Sequence, residues 1–570
     1  MSPKRKHGEH RPSKDGSLTV DAAVDTVADT TADAGRDRRY ARYVVIAAAV
    51  FVVLLSILVV QRYRDFYGGR FDLGNMVQAV HNTAHGRVLE VTDAEGRQVS
   101  RLGAHVDPIL VAFALPWRVW PSPVMLLVAQ IVIVSLSAWP AWRLGRRILG
   151  DARAAFFMTV ALLLYPPLEY AVLNEFHPVT LAVPFLLFAF VELEEDHRWR
   201  AVPWLVLAAL CKEEIPLLLA LMGVYFAWRK RAWWPLAVTV AAGAYFLVAV
   251  FVVMPHFASG PSPIMERYSD YGDSAGGLVR GIVTHPLAAA ADVLSWSNIA
   301  YLLRLLWPFG FLSLLSPLTL LIAVPEIVLN ALADNEFQRS IEYHYVAGEV
   351  PFVFAAAVLG LARLRGLLAG RKKEDGGGGR EVARAERRRR ARRPTDARPW
   401  GGRLPVSTLA GAVLALSLAG NYVMGPLPFS LPGAEKSGHD YRVTGHAVAL
   451  AEAVDQIPTG DDVVVATDND AGSHLSARRV VYVLPVTKDA EYVLIDRKRG
   501  FVYDHEDPVG HENAFGEFIK AEYLSGRYEL VIEPLDDQSV WLFKRKDDVA
   551  APGGTIPIPS PLPTASTPPR

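Results

Sequence analysis

YVVIAAAVFVVLLSILVV, residues 43–60, contains no charged side chain. A hydrocarbon core about 30 Å thick takes about 20 mostly apolar residues in a helix, and this run nearly fills it. A single such run near an N-terminus also fits a signal peptide, but comparable runs recur at 124–142, 155–173, 178–191 and 234–254. Repetition excludes the signal-peptide reading. With 51% of the 570 residues hydrophobic and a mean hydropathy of +0.20, the chain is too apolar to present a soluble exterior. The expectation is a mainly α polytopic membrane bundle of about ten or eleven transmembrane helices.

Charge supplies the orientation. Lys plus Arg (59) equals Asp plus Glu (59), so net charge points to no nucleic-acid partner. Short basic clusters recur between the apolar runs: Arg36, Arg38, Arg39 and Arg42; Arg143, Arg146 and Arg147; His197, Arg198 and Arg200; Arg229, Lys230 and Arg231. Loops rich in Lys and Arg stay on the cytoplasmic side. The N-terminus is therefore expected inside, and Asn174–Pro178 outside. The basic block Arg387–Arg393 beside Gly376–Gly379 reads as an inside-retaining loop, with anionic lipid heads the alternative partner.

These rules divide the chain. Residues 1–42 read as a disordered cytoplasmic tail with too little apolar surface to offset ordering. Residues 43–363 form the membrane core, with outer loops at 61–120 and 255–298; 364–403 is a basic cytoplasmic loop and 404–424 the last span. Residues 439–546 read as a small extracytoplasmic α/β domain, with strands at 463–466, 480–484, 492–495, 529–533 and 540–543 and helices at 446–454 and 513–523. Residues 551–570, rich in Pro, Ser and Thr, read as a disordered tail. The DNDAGS stretch at 468–473 lacks the spacings of a dinucleotide or P-loop site. It reads as a strand-to-helix turn with capping residues.

Residues 201–228 are too short for two crossings, yet carry basic clusters at both ends and Lys212, Glu213 and Glu214 in the middle. A charge at the bilayer centre costs roughly 2.5–3.5 kcal/mol on insertion scales, so three facing lipid would cost on the order of 8 kcal/mol. Two short helices meeting at a water-filled outer cavity satisfy both constraints. On the same face lie Arg70, Asp72 and Gln78 with His81 and His85; His105 and Asp107; Glu175 and His177; and Glu342, His344 and Tyr345. Ionisable groups that share one membrane face can line one cavity.

Several phrases carry a resemblance: FDLGNMVQAV (71–80), GAHVDP (103–108), LYPPLEYAVLNEFHPVTLAVP (164–184), CKEE (211–214), PFGFLSLLSPLTLLIAVPEIVLN (308–330) and EYHY (342–345). Together they resemble a bacterial family of predicted multi-pass membrane proteins, a domain of unknown function. That family is in turn similar in layout to the GT-C superfamily of membrane glycosyltransferases. The resemblance implies a sugar donor on a polyprenyl-phosphate carrier, a cell-envelope acceptor and membrane lipids as partners, at the outer face of a bacterial cytoplasmic membrane. It implies Asp72 as catalytic base and inversion in one displacement. It makes Lys212 a contact for the lipid phosphate, with Arg70, His105 and His344 able to share that role; Gln78, Asp107, Glu175, His177, Glu213, Glu214 and Tyr345 are the further substrate-binding candidates. Asp72 departs from the paired acidic dipeptide often found in that superfamily, since Leu73 follows it. Structural readings stand beside these roles: Asp72 as a helix cap or partner of Arg70, Glu175 and His177 as caps before Pro178, and Lys212 in an ion pair with Glu213 or Glu214. His105, Asp107, Glu175 and His177 are ligand types a divalent metal accepts, but no spacing reaches that of HExxH and no metal site is assigned. A transporter or flippase fits charges at a broken helix equally well, though no internal repeat is evident. A membrane scaffold is the third reading.

Overall fold

The computed structural model describes residues 16–260, 267–272, 274–374, 404–430, 441–498, 518–523, 525–536 and 538–546. Five of its helices are long and apolar enough to cross a membrane: Gly35–Arg64, Pro123–Leu149, Leu236–Phe257, Val350–Leu368 and Val406–Met424. The pair Ala152–Leu163 and Pro166–Leu173, bent by 44°, makes a sixth if counted as one span. Ten or eleven crossings were expected from the apolar runs. The remaining runs are broken into shorter helices, such as Ala182–Glu194, Arg198–Ala209 and Ile215–Lys230, of 13, 12 and 16 residues. Proline and charge make the breaks. The latter two helices meet across Leu210–Glu214, as the short hairpin required.

Two boundaries differ from the sequence reading. The first helix spans Gly16–Arg64, so residues 16–42 are helical and not a disordered tail. This stretch is alanine-rich and free of proline, and extending an existing helix adds one hydrogen bond per residue fixed. Likewise the helix Val350–Glu374 carries residues 364–374 past the expected start of the basic loop, with no proline to stop it before Gly376. The Arg387–Arg393 block, residues 513–517 and the tail from Ala551 lie outside the described residues.

The basic clusters do share one end of the bundle. Arg143 pairs with Glu192 and Glu195 at 2.5 Å each, Arg229 with Glu194 at 2.7 Å, Lys230 with Asp196 at 2.5 Å, and Arg146 with Asp37 at 2.8 Å. From there the fully buried helix Ala182–Glu194, extended by the 3-10 turn Pro178–Leu181, leads to His177 at the other end. At about 1.5 Å per residue the two ends stand roughly 25 Å apart.

At the His177 end the first outer loop folds as a π turn, Arg70–Gly74, then a helix, Asn75–Ala84, and a hairpin of β1 (Glu90–Thr92) and β2 (Gln98–Ser100). Against it packs a five-stranded sheet of β3 (Val465–Thr467), β4 (Val481–Val483), β5 (Tyr492–Asp496), β6 (Tyr528–Leu530) and β7 (Val540–Arg545), in the order β4-β3-β5-β7-β6. β3 pairs parallel with β4 and β5, while β7 is antiparallel to β5 and β6. Every residue of β3, β4 and β5 is buried, as parallel strands covered on both faces require. The five strands expected from the sequence are these five. Asp468 caps the helix Asn469–Leu475 by accepting from the Ala471 N–H at 2.9 Å, so DNDAGS is the strand-to-helix turn its composition indicates.

Candidate active site

Asp72 occupies the third position of the π turn, and solvent reaches 58% of its side chain. The turn is held from behind by Glu175, whose two oxygens accept the N–H groups of Gly69 at 3.1 Å and Leu73 at 2.7 Å. Glu175 is itself in the left-handed region, with φ of 57°, a conformation costly for a residue with a Cβ. Buried Gln130 fixes it there. Its amide donates to the Glu175 carbonyl at 2.7 Å and the Val172 carbonyl at 3.0 Å, and its oxygen accepts the His177 N–H at 2.9 Å. One polar side chain inside the apolar run PVMLLVAQIVIVS thus shapes the NEFHP turn.

His177 directs Nδ1 at the Asn174 carbonyl, 3.0 Å away, and Nε2 at Asp72 Oδ1, 3.5 Å away. With Nδ1 donating to a carbonyl, the Asp72–Nε2 contact is attractive when a proton lies between the two groups. Desolvation by the protein packed around it opposes ionisation of Asp72 although solvent reaches the side chain, but the His177 hydrogen bond and charge, with Arg267 and Arg101, hold its carboxyl below the usual range. Burial, then the Asp72 charge, push Glu175 up to about 8 against the N–H groups of Leu73 and Gly69. Neighbouring carboxylates are thus driven in opposite directions. The His344 ring stacks on His177 with centroids 3.5 Å apart and planes 14° apart. Burial first, then His177, Lys212, Arg267 and His105, keep His344 well below the ordinary histidine range. It is a neutral ring in a cationic neighbourhood.

From His344 the site continues to Tyr345, ring centroids 4.2 Å apart, and to two cations over the Tyr345 ring, Lys212 at 5.9 Å and Arg267 at 5.8 Å. Lys212 pairs with Glu214 at 2.7 Å. Buried Glu213 accepts from the Val106 N–H at 2.9 Å and contacts His105 Nδ1 at 2.9 Å, locking the GAHVDP loop onto the short hairpin. Asp72, His177, His344, Tyr345 and Lys212 therefore form one contiguous chain of contacts, with Glu214, Glu213 and His105 at its edge.

Three expected participants lie elsewhere. Arg70 is completely buried and donates to Asn75 at 2.7 Å, Gln78 at 2.6 Å, the Thr92 carbonyl at 3.1 Å and the Val481 carbonyl at 3.3 Å. Gln78, also fully buried, donates to Thr92 Oγ1 and to the Arg479 carbonyl. Both join the first loop to the C-terminal sheet and are not open to substrate. Asp107 is 2% exposed and salt-bridged to Arg101 at 2.6 Å. With Asp107 on Arg101, His105 on Glu213 and Glu175 on the turn backbone, the four metal-ligand types noted in the sequence do not gather.

Sequence reasoning missed Arg267 and Asn469. Asn469 Oδ1 accepts the Phe71 N–H at 3.2 Å, so the C-terminal domain touches the turn that carries Asp72. Gly472 permits this approach: a Cβ there would stand 2.4 Å from Arg70 Cβ. The contact is reinforced where His474 stacks between Tyr63 and Phe66, centroids 4.0 and 3.8 Å away. No local signal in DNDAGSH marks a partner some 400 residues upstream.

Residues 62–533 match the family described as predicted membrane protein, DUF2079. The chain belongs to this family. The match takes in the Asp72 loop and the C-terminal sheet as far as β6, so DUF2079 comprises the two parts that meet at Asn469. Among solved structures, the chain is similar to ArnT from Cupriavidus metallidurans bound to undecaprenyl phosphate, with 13% identity, a TM-score of 0.43 and coverage of 90% of this chain and 99% of that one. It is also similar to the archaeal oligosaccharyltransferase AglB from Archaeoglobus fulgidus in complex with an inhibitory peptide and a dolichol-phosphate, with 12% identity, a TM-score of 0.40 and coverage of 80% and 70%. No curated protein matches the chain.

Proposed function

We propose that this DUF2079 protein is an inverting membrane glycosyltransferase that moves a sugar from a polyprenyl-phosphate carrier to a cell-envelope acceptor at the outer face of the cytoplasmic membrane. The observation that carries the reading is the juxtaposition of a solvent-open carboxylate, Asp72, with two cations, Lys212 and Arg267, across His177, His344 and Tyr345. With the basic end of the bundle taken as the inner side, this reading has the chain of residues facing the outer side.

In the reaction the acceptor oxygen bonds to the anomeric carbon as the bond from that carbon to the phosphate oxygen breaks. Asp72 takes the hydroxyl proton, and His177 beside it shares that proton. The leaving phosphate keeps the electron pair, and Lys212 and Arg267 offset its charge. Glu175 and Gln130 act as positioning residues by fixing the turn on which Asp72 stands.

The test is turnover of a labelled polyprenyl-phosphate sugar by the full chain in liposomes. Asp72→Asn lowers turnover by about 10²–10⁴-fold, the range for a positioned general base. Unchanged turnover in Asp72→Asn removes Asp72 from that role, and failure of polyprenyl phosphate to bind the wild type refutes the donor class.

A further inference from the structure

Away from the Asp72–Lys212 chain, His81 and His85 project from one face of the helix Asn75–Ala84 and its C-cap, at the i and i+4 spacing that places side chains side by side. Asp461, from the segment before β3, reaches the same point from the C-terminal domain. One ligand atom from each of the three residues lies within 4.8 Å of the others. His81 Nε2 is 2.8 Å from Asp461 Oδ1, and the two imidazole centroids are 4.3 Å apart. We infer that His81, His85 and Asp461 form a binding site for a divalent transition-metal ion of the zinc class, joining the first outer loop to the C-terminal domain.

The surroundings fit that role. His85 Nδ1 lies 2.8 Å from the His81 carbonyl, which assigns its proton to Nδ1 and leaves the Nε2 lone pair free. Metal-bound histidines characteristically have the other ring nitrogen tied in this way. Arg87 holds both Asp461 oxygens at 2.8 and 2.9 Å and also donates to Asn82, fixing the carboxylate in place. Two imidazoles and a carboxylate suit zinc and its neighbours better than magnesium or calcium. In a tetrahedral zinc site, with bonds of about 2.0–2.1 Å, ligand atoms stand roughly 3.3 Å apart. Starting within 4.8 Å of one another, the three groups need to close by at most about 1.5 Å, and His85 is an exposed ring able to adjust.

A second group of suitable residues, Glu192, Glu195 and His197, is a weaker candidate. It has one imidazole against two, and it stands among the cations of the basic end. The His81–His85–Asp461 site instead bridges segments some 380 residues apart, on the helix that directly follows the Asp72 turn. A metal there binds the folded arrangement and not the separated segments, so it stabilises the docking of the two parts.

The experiment is calorimetric titration of chelator-stripped full-length protein in detergent with Zn²⁺, paired with thermal unfolding. One tight Zn²⁺ per chain is expected, with a raised unfolding midpoint. His85→Ala should weaken binding by about 100-fold or more and abolish the midpoint rise. His197→Ala should change neither. His85→Gln, expected to behave as His85→Ala, serves if the alanine variant lowers the metal-free midpoint. Absence of Zn²⁺ binding by the wild type, its survival in both His85 variants, or its loss in His197→Ala overturns the assignment. The readout is metal binding, so it stands or falls separately from glycosyl transfer.

Discussion

Glu175→Ala tests whether the Asp72 turn is held from outside itself. The carboxyl of Glu175 accepts the Gly69 and Leu73 N–H groups, 3.1 and 2.7 Å away, which bracket Asp72. Each net hydrogen bond contributes about 0.5–1.5 kcal/mol, so losing both costs roughly 1–3 kcal/mol locally. At about 1.4 kcal/mol per tenfold, this weakens amide-exchange protection of the segment 68–74 by roughly 5- to 150-fold. Glu175→Gln keeps one acceptor and should show about half that free-energy loss. The measurement is hydrogen exchange by mass spectrometry on the full chain in detergent, with the helix Ala182–Glu194 as internal reference. Turnover should fall with protection, because Asp72 spends less time in its bracketed position. Unchanged protection at 68–74 in Glu175→Ala refutes the positioning argument, whatever happens to activity.

Two more predictions concern the docked C-terminal domain. Gly472→Ala drives a methyl into Arg70 Cβ, 2.4 Å away, where the buried guanidinium cannot retreat; a loss of about 1–3 kcal/mol should appear as a lower thermal midpoint and faster proteolysis of the C-terminal domain, and a wild-type midpoint refutes the close approach. Burial pushes His474 down to about 4, with the Tyr63 carbonyl opposing. The unfolded chain therefore binds this proton first, and the associated stability is complete above about pH 6.5 and drains away as pH falls to about 4, at roughly 1.4 kcal/mol per pH unit. His474→Phe, which keeps a ring between Tyr63 and Phe66, should flatten that slope in denaturant titrations; a slope equal to wild type refutes it.

How legible the site was depends on the range of the interactions that make it. EFHP and CKEE announce themselves because charge beside an apolar run is expensive unless it faces water, a local rule. Their convergence with EYHY at Tyr345 also followed from topology, since alternate helix ends share a face. Arg70 and Gln78 look like substrate contacts in isolation, being polar and next to Asp72. Their burial under β4 through the Val481 and Arg479 carbonyls depends on contacts some 400 residues away, which no local pattern encodes. Arg267 is not legible in the same way, because an arginine in a polar loop carries no signal until Tyr345 is placed beside it.

By itself the sequence determined the membrane class, the shared end of the basic clusters, the broken hairpin at Cys211–Glu214 and the strands of the C-terminal sheet. Each follows from hydrophobic runs, charge and short-range periodicity, which act over a few residues. The tertiary structure alone decided that Glu175 braces the Asp72 turn, that Asn469 and Gly472 bring the C-terminal domain onto it, and that His81 and His85 meet Asp461. Those depend on ångström-scale fit between segments separated by about 100 to 400 residues. Hydrogen bonds and van der Waals contacts fall off within that distance, so only the folded chain specifies them.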